Sequence, residues 1–343
     1  MNQERKYNPV NRFPVVRKTG ASYYQTYKNS GRPLSRTPEN LGKYYGPIEN
    51  QGSEGSCTAF AGLLWRGALR RQAGLPWINP SFQAQYYKER EREGTVNTDA
   101  GAFMEDIIIV LEQFGVLPAE KDPYLPTDIT TPPPTDGWNT DLKLSPDRVC
   151  AVNQATILQD TLDALSEGHP VLFGFEVFAI GWEDVSYNGT GILAMPGINE
   201  VMIGGHAVNA VYYDVDKKLI LVRNQYGPQW GIRTPADEIG DFWMPFDYYA
   251  KYAYNAYVGL PDSMQPQPKK LYRVQIGRFP IADKADADAL CKELVAKGFG
   301  GYVTKVGDEY RVQTAAYAND QAVFVKADTL LKAGYTEVIL TVY

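Results

Sequence analysis

Helical periodicity comes first along this chain and strand patterning second. After Cys57, Leu64, Trp65, Ala68 and Leu69 share one helical face, with Arg66, Arg70 and Arg71 on the side turned to water. Phe103, Ile107, Val110, Leu111 and Phe114 repeat at helical spacing, which predicts a helix over 101–113 that Gly115 stops. A third helix is expected over 155–167, ending at Gly168. Beyond Pro170 the pattern changes. Segments 171–177, 208–213 and 219–224 read as strands, the last two joined by a turn at 214–218, and the strand-rich part runs to about 258. Helices gathered ahead of strands predict an α+β domain with segregated lobes and a cleft between them.

The chemistry-bearing residues fall at the joints of this pattern. The segment Gln51-Gly52-Ser53-Glu54-Gly55-Ser56-Cys57 leads into the first helix. A cysteine at a helix start feels unpaired N–H groups and the positive end of the helix, both of which favour a thiolate. Gly55 and Ser56 leave room for a substrate carbonyl to approach the backbone. Gln51 can offer its amide N–H to a developing oxyanion, with the Cys57 backbone N–H as second donor. His206, after Gly204 and Gly205, is the imidazole placed to act as base, whereas His169 sits in a helix-to-strand turn. Asn224 closes the 219–224 strand, and its side-chain carbonyl can accept the His206 ring proton and fix the tautomer. The bland readings are a core cysteine, a structural histidine and a turn-forming asparagine; the combination outweighs them.

On these residues the chain resembles the papain-like cysteine peptidases. That family has Gln, a glycine and Gly-Ser-Cys entering a helix, then a His, then Asn-Ser-Trp-Gly and a later Trp-Gly. Here the last two appear as Asn224-Gln225-Tyr226-Gly227 and Trp230-Gly231, with Tyr226 replacing the first Trp. The chain departs from the family at Glu54, where many members have a structural cysteine, and at Thr58, where they usually have Trp. The resemblance implies a two-lobed cysteine peptidase over 46–260 acting on a protein or peptide substrate. It also implies a glycine-rich cleft wall at Thr98-Asp99-Ala100-Gly101, with Gly101 exposing its backbone. Met195, Val201 and Gly204 fall where the family forms an apolar pocket for the second side chain before the scissile bond.

Residues 1–45 show no sustained periodicity and read as an extended arm that caps the cleft or straps the lobes. Residues 261–270 carry three prolines among polar residues and read as a linker. Beyond it, Tyr272-Arg273-Val274-Gln275 returns as Tyr310-Arg311-Val312-Gln313, each copy followed by a helical pattern. Two strand-helix-strand units closing one small sheet predict a ferredoxin-like α/β domain over 271–343. This tail resembles a SPOR domain, a bacterial module that binds peptidoglycan glycan strands. The resemblance places Tyr272, Gln275, Tyr310 and Gln313 nearest the glycan. The bland reading is a sheet that only packs or assembles.

Composition sets the remaining bounds. Three cysteines, at 57, 150 and 291, form no disulfide framework, and with only two histidines a structural zinc site is not expected; the proposed chemistry needs no metal or organic cofactor. Residues 1–50 hold nine Lys or Arg against three Asp or Glu, which leaves the remainder acidic and argues against a nucleic-acid role. No apolar run approaches a membrane span, so no membrane insertion is expected, and the first twenty residues lack the apolar core of a secretory signal. A bacterial cytoplasmic or wall-associated setting fits these features. Three functions remain: a cysteine endopeptidase, a catalytically silent papain-like scaffold with a binding or assembly tail, and a peptidase of cell-wall stem peptides.

Overall fold

The computed structural model describes residues 24–28, 31–187, 191–232, 240–261, 272–314, 320–336 and 338–342. Its contacts divide the chain into two compact units, Met1–Met264 and Gln265–Tyr343. Most of the expected arm is placed outside the described residues, and of the expected linker only Pro261 lies within them.

In the first unit α1 (Cys57–Gln72), α2 (Phe82–Glu93) and α3 (Met104–Phe114) precede most of the sheet. The strands are β1 (Gln25–Thr26), β2 (Val149–Ala151), β3 (Val171–Phe178), β4 (Met202–Asp214), β5 (Leu219–Arg223), β6 (Asp241–Pro245) and β7 (Ala253–Gly259). They form one seven-stranded sheet in the order β1-β2-β7-β3-β4-β5-β6. Three further helices, α4 (Ile157–Ser166), α5 (Ala179–Tyr187) and α6 (Phe246–Tyr252), lie between strands in sequence.

The helix α1 is the interior axis. Its sequence is apolar on nearly every side, so it is buried from Thr58 to Leu69. Two glycines let neighbours close in on it: a Cβ at Gly62 would lie 2.0 Å from Ile107 Cγ2, and one at Gly67 would lie 1.9 Å from Trp77 Cζ3. Overpacking of that kind costs roughly 1–3 kcal/mol. The sheet is fastened to the same helix. Asn209 Nδ2 on β4 donates to Ala61 O at 3.0 Å, and Trp65 Nε1 donates to Pro170 O at 3.1 Å. Arg66 corrects the expected solvent face. It is buried, and it donates to Leu142 O at 3.1 Å and Lys143 O at 3.3 Å, because carbonyls at the end of the short 3-10 helix Thr140–Leu142 need those donors.

The sheet places the catalytic candidates by register. Antiparallel pairing sets His206 on β4 opposite Phe175 on β3, and Asn209 opposite Arg223 at the end of β5. The strand β5 is held to β6 by a buried ion pair, Arg223 Nε to Asp241 Oδ1 at 2.5 Å. Asn224 leaves the strand directly after this anchor.

The second unit runs β8 (Tyr272–Pro280), α7 (Lys284–Ala296), β9 (Tyr302–Val306), β10 (Glu309–Gln313), α8 (Asp320–Lys332) and β11 (Ile339–Val342). Its sheet order is β11-β8-β10-β9, with every pairing antiparallel. The two repeats supply the two middle strands, which cross-pair with Gln313 opposite Gln275. Val274, Ile276 and Val312 meet Ala287, Leu294, Ala327 and Leu330 in a small separate core.

Candidate active site

Cys57 is the first residue of α1, and the loop ahead of it is tied down on every side. Gln51 N donates to Gln225 O at 2.9 Å, and Tyr124 Oη donates to Gln51 O at 2.8 Å. The Gly55 N–H faces both oxygens of Asp99, at 2.9 and 3.1 Å. Tyr86 Oη donates to the same carboxylate at 2.6 Å and accepts from Gly101 N at 3.0 Å. Asp99 therefore joins the nucleophile loop to the glycine-rich wall without a covalent link. Gln51 Nε2 donates to Glu54 O at 2.9 Å, which fixes the amide plane and leaves its second N–H. The Glu54 carboxyl is buried, and desolvation raises its pKa to about 7.

His206 Nε2 and Asn224 Oδ1 lie 2.8 Å apart, and both residues are buried. An amide oxygen only accepts, so Nε2 carries the proton and Nδ1 is left as the base. Aromatic rings enclose the imidazole: Tyr226 at 5.0 Å, Trp182 at 5.5 Å and Phe175 at 5.9 Å between centroids. That enclosure pushes the His206 pKa down to about 4, against the opposing effect of the Asn224 hydrogen bond. Desolvation likewise pushes the Cys57 thiol up to about 11, more than the Ala207 backbone can offset. The helix start alone was expected to favour the thiolate. Here desolvation acts against the helix start, raising the thiol and lowering the imidazole.

Two open clefts flank these groups. The first, of about 490 Å³, is lined by Cys57, Gly205 and His206 together with Gly101, Met104 and Tyr254. The second, of about 530 Å³, brings Gln51, Cys57 and His206 together with Trp182, Gly204 and Tyr226. Gly55 and Gly205 border both. Ser56 is not a lining residue: it is fully buried, and its hydroxyl bonds Tyr124 Oη at 2.8 Å. Met195 and Val201 lie outside both clefts on a surface loop, 42% and 69% exposed. The apolar lining comes instead from Ala100, Ala102, Phe103, Met104 and Tyr254.

Sequence reasoning missed Trp182, whose short helix has no clear periodicity, and the buried Glu89. Thr58 Oγ1 donates to Glu89 Oε2 at 2.5 Å, so the position where an aromatic was missed is occupied by a polar pair. Burial raises the Glu89 pKa to about 8.

In the second unit the glycan candidates separate. Gln275 and Gln313 are fully buried, because they face each other across the two middle strands, and Tyr302 Oη donates to Gln313 Oε1 at 3.3 Å. Tyr310 packs against the small core. Tyr272 opens β8, and its side chain is outside the described residues. Of the three described side chains, only Tyr310 keeps partial exposure.

Comparisons with known proteins agree with this architecture. A family model for the SPOR domain matches residues 251–305 and 268–340. The chain is 32% identical over 209 residues to an uncharacterized peptidase C1-like protein of Acanthamoeba polyphaga mimivirus, covering 59% of this chain and 65% of that protein's length. Xylellain, a cysteine protease from Xylella fastidiosa, superposes with a TM-score of 0.55 at 28% identity, covering 70% of this chain and 97% of its own. Procathepsin B S9 from Trypanosoma congolense shares the fold at a TM-score of 0.51 and 13% identity, over 70% of this chain and 83% of its own. The first unit therefore has the fold of the papain-like cysteine proteases, and the chain spans just under two thirds of the length of its viral relative. A SPOR domain follows it.

Proposed function

We propose that this chain is a cysteine endopeptidase. The observation that carries the reading is the 2.8 Å contact between His206 Nε2 and Asn224 Oδ1, with His206 and Cys57 lining the same clefts. His206 Nδ1 takes the Cys57 proton as sulfur attacks the peptide carbonyl carbon, forming the C–S bond and an oxyanion. The second Gln51 N–H and the Cys57 backbone N–H stabilise that oxyanion. The imidazolium then protonates the departing amine as the C–N bond breaks, leaving a thioester. Water, deprotonated by His206, releases the acid and restores the thiol. Asn224 keeps the imidazole in the tautomer that allows both transfers.

The test is site-resolved alkylation together with hydrolysis of a mixed peptide library. Cys57 should react far faster than Cys150 or Cys291, and Cys57→Ala should retain its melting transition and lose all cleavage. A Cys57→Ala protein that still cleaves would refute the mechanism.

The tail is proposed to bring the enzyme to peptidoglycan glycan strands, which makes wall-associated protein or stem peptides its substrates. The SPOR match over 268–340 supports this reading. Binding has to use residues other than the buried Gln275 and Gln313.

A further inference from the structure

We propose that Gln225 is a positioning residue whose side-chain amide holds the strand of His206 and the helix of Cys57 in register. Its importance for turnover rests on the peptidase reading above. Gln225 is fully buried at the junction of every segment the reaction uses. Its Nε2 donates to Ala207 O at 2.8 Å and lies 3.5 Å from Cys57 O. Its own carbonyl accepts from Gln51 N at 2.9 Å. It is peptide-bonded to Asn224, whose Oδ1 holds His206 Nε2 at 2.8 Å. One side chain and its backbone thus reach the oxyanion glutamine, the nucleophile, the base's neighbour and the orienting asparagine.

The local topology explains why a side chain is needed here. The β4–β5 ladder stops at Asn209 and Arg223, so no regular strand pairing from β5 extends to Ala207. The chain has turned away at Asn224, and the Gln225 amide supplies a donor to the Ala207 carbonyl in place of a strand. The backbone of the same Ala207 opposes the rise in the Cys57 pKa. Ala207 is therefore held by Gln225 through the same backbone edge that faces the Cys57 thiol. A donor-free side chain of the same length would fill the space and leave the carbonyl unheld.

The decisive variant is Gln225→Met, compared with the intact chain for peptide hydrolysis and for the pH profile of Cys57 alkylation. The expected result is a fall in kcat of about tenfold to a hundredfold with KM within about threefold, the size of a small misplacement of reacting groups. The alkylation profile should also move to higher pH. Equal kcat together with a superimposable alkylation profile would overturn the proposal. If Gln225→Met loses its cooperative melt, Gln225→Glu decides. Its carboxyl donates to Ala207 O when protonated and cannot when ionised, so this variant should gain an alkaline loss of activity that the parent lacks; a profile of parental shape overturns the proposal. If the intact chain cleaves no peptide, the peptidase reading fails, and the alkylation profiles still test Gln225 by themselves.

Discussion

Glu89→Gln should make the first unit more stable at pH 8 than the parent, and should change it little at pH 5. Glu89 is fully buried, with Thr58 Oγ1 2.5 Å from Oε2 and Gln85 Nε2 2.8 Å from Oε1. Burial raises its pKa from 4.5 to about 8, and nearby Asp106 and Glu93 add to the rise. A carboxyl whose folded pKa lies above its unfolded value favours the fold most when protonated. That contribution is complete below about pH 4.5 and is lost as pH rises toward 8. At about 1.4 kcal/mol per unit, the full loss is roughly 5 kcal/mol. A glutamine keeps both contacts, accepting from Gln85 and donating to Thr58, and does not ionise. The assay is urea unfolding at pH 5 and pH 8, followed by tryptophan fluorescence. All six tryptophans lie in the first unit, at 65, 77, 138, 182, 230 and 243, so the signal is blind to the SPOR domain. The stability gap between variant and parent should open steadily between the two pH values. A gap that is the same at both would refute the account of Glu89 as a buried, ionisable cost.

Asn224→Ala should leave a slower enzyme in which kcat falls more than KM changes, since the imidazole remains and loses its orienting acceptor; steady-state kinetics decide it. Gln51→Ala should lower kcat by on the order of 10²–10³-fold, the usual cost of one oxyanion donor, while Cys57 alkylation persists. The pH profile of kcat/KM should be a broad plateau, because the singly protonated Cys57–His206 pair is bounded by apparent values near 4 and near 11. An acid limb centred near 6.5 would show that burial does not govern His206. The full Cys57→Ala chain should pellet with glycan strands stripped of stem peptides, and a chain ending at residue 264 should stay in the supernatant.

The parts of this protein that follow ordinary periodicity were legible. The helix from Cys57 and the helix through Ile107 lie where apolar spacing puts them, within a few residues, while the strand expected over 208–213 begins six residues earlier and so includes His206. Helix α2 was not legible, because its buried face is polar. Gln83, Gln85, Glu89 and Arg90 are all interior, and Arg90 alone donates to the carbonyls of Val96, Thr98 and Ile129. A pattern search sees such a face as solvent. Arg66 misled for the same reason. Cys57, His206 and Asn224 could be singled out because the proposed nucleophile, base and orienter need particular residue types in a particular order, and the structure brings Cys57 and His206 to the same clefts and Asn224 to His206. The substrate pocket has no such requirement. Any apolar side chain at the right depth serves, so motif offset pointed to Met195 and Val201, whereas Met104 and Tyr254 line the cleft beside Cys57. In the tail, the repeated Tyr-Arg-Val-Gln marked the two middle strands correctly. It carried no information on strand phase, and the glutamines proved to be interior.

The Asp99 tether has a consequence for the proposed peptidase and for where it can work. A thiol nucleophile requires reducing conditions, and reductants open disulfides. Here all three cysteines are free thiols, and the nucleophile loop is fastened to the cleft wall by a carboxylate and two backbone N–H groups, with Tyr86 between them. Reductant strong enough to keep Cys57 competent therefore has no bond to cut in the framework that aims it. Activity lost to reversible oxidation of Cys57, as a sulfenic acid or mixed disulfide, should return on reduction with no refolding step.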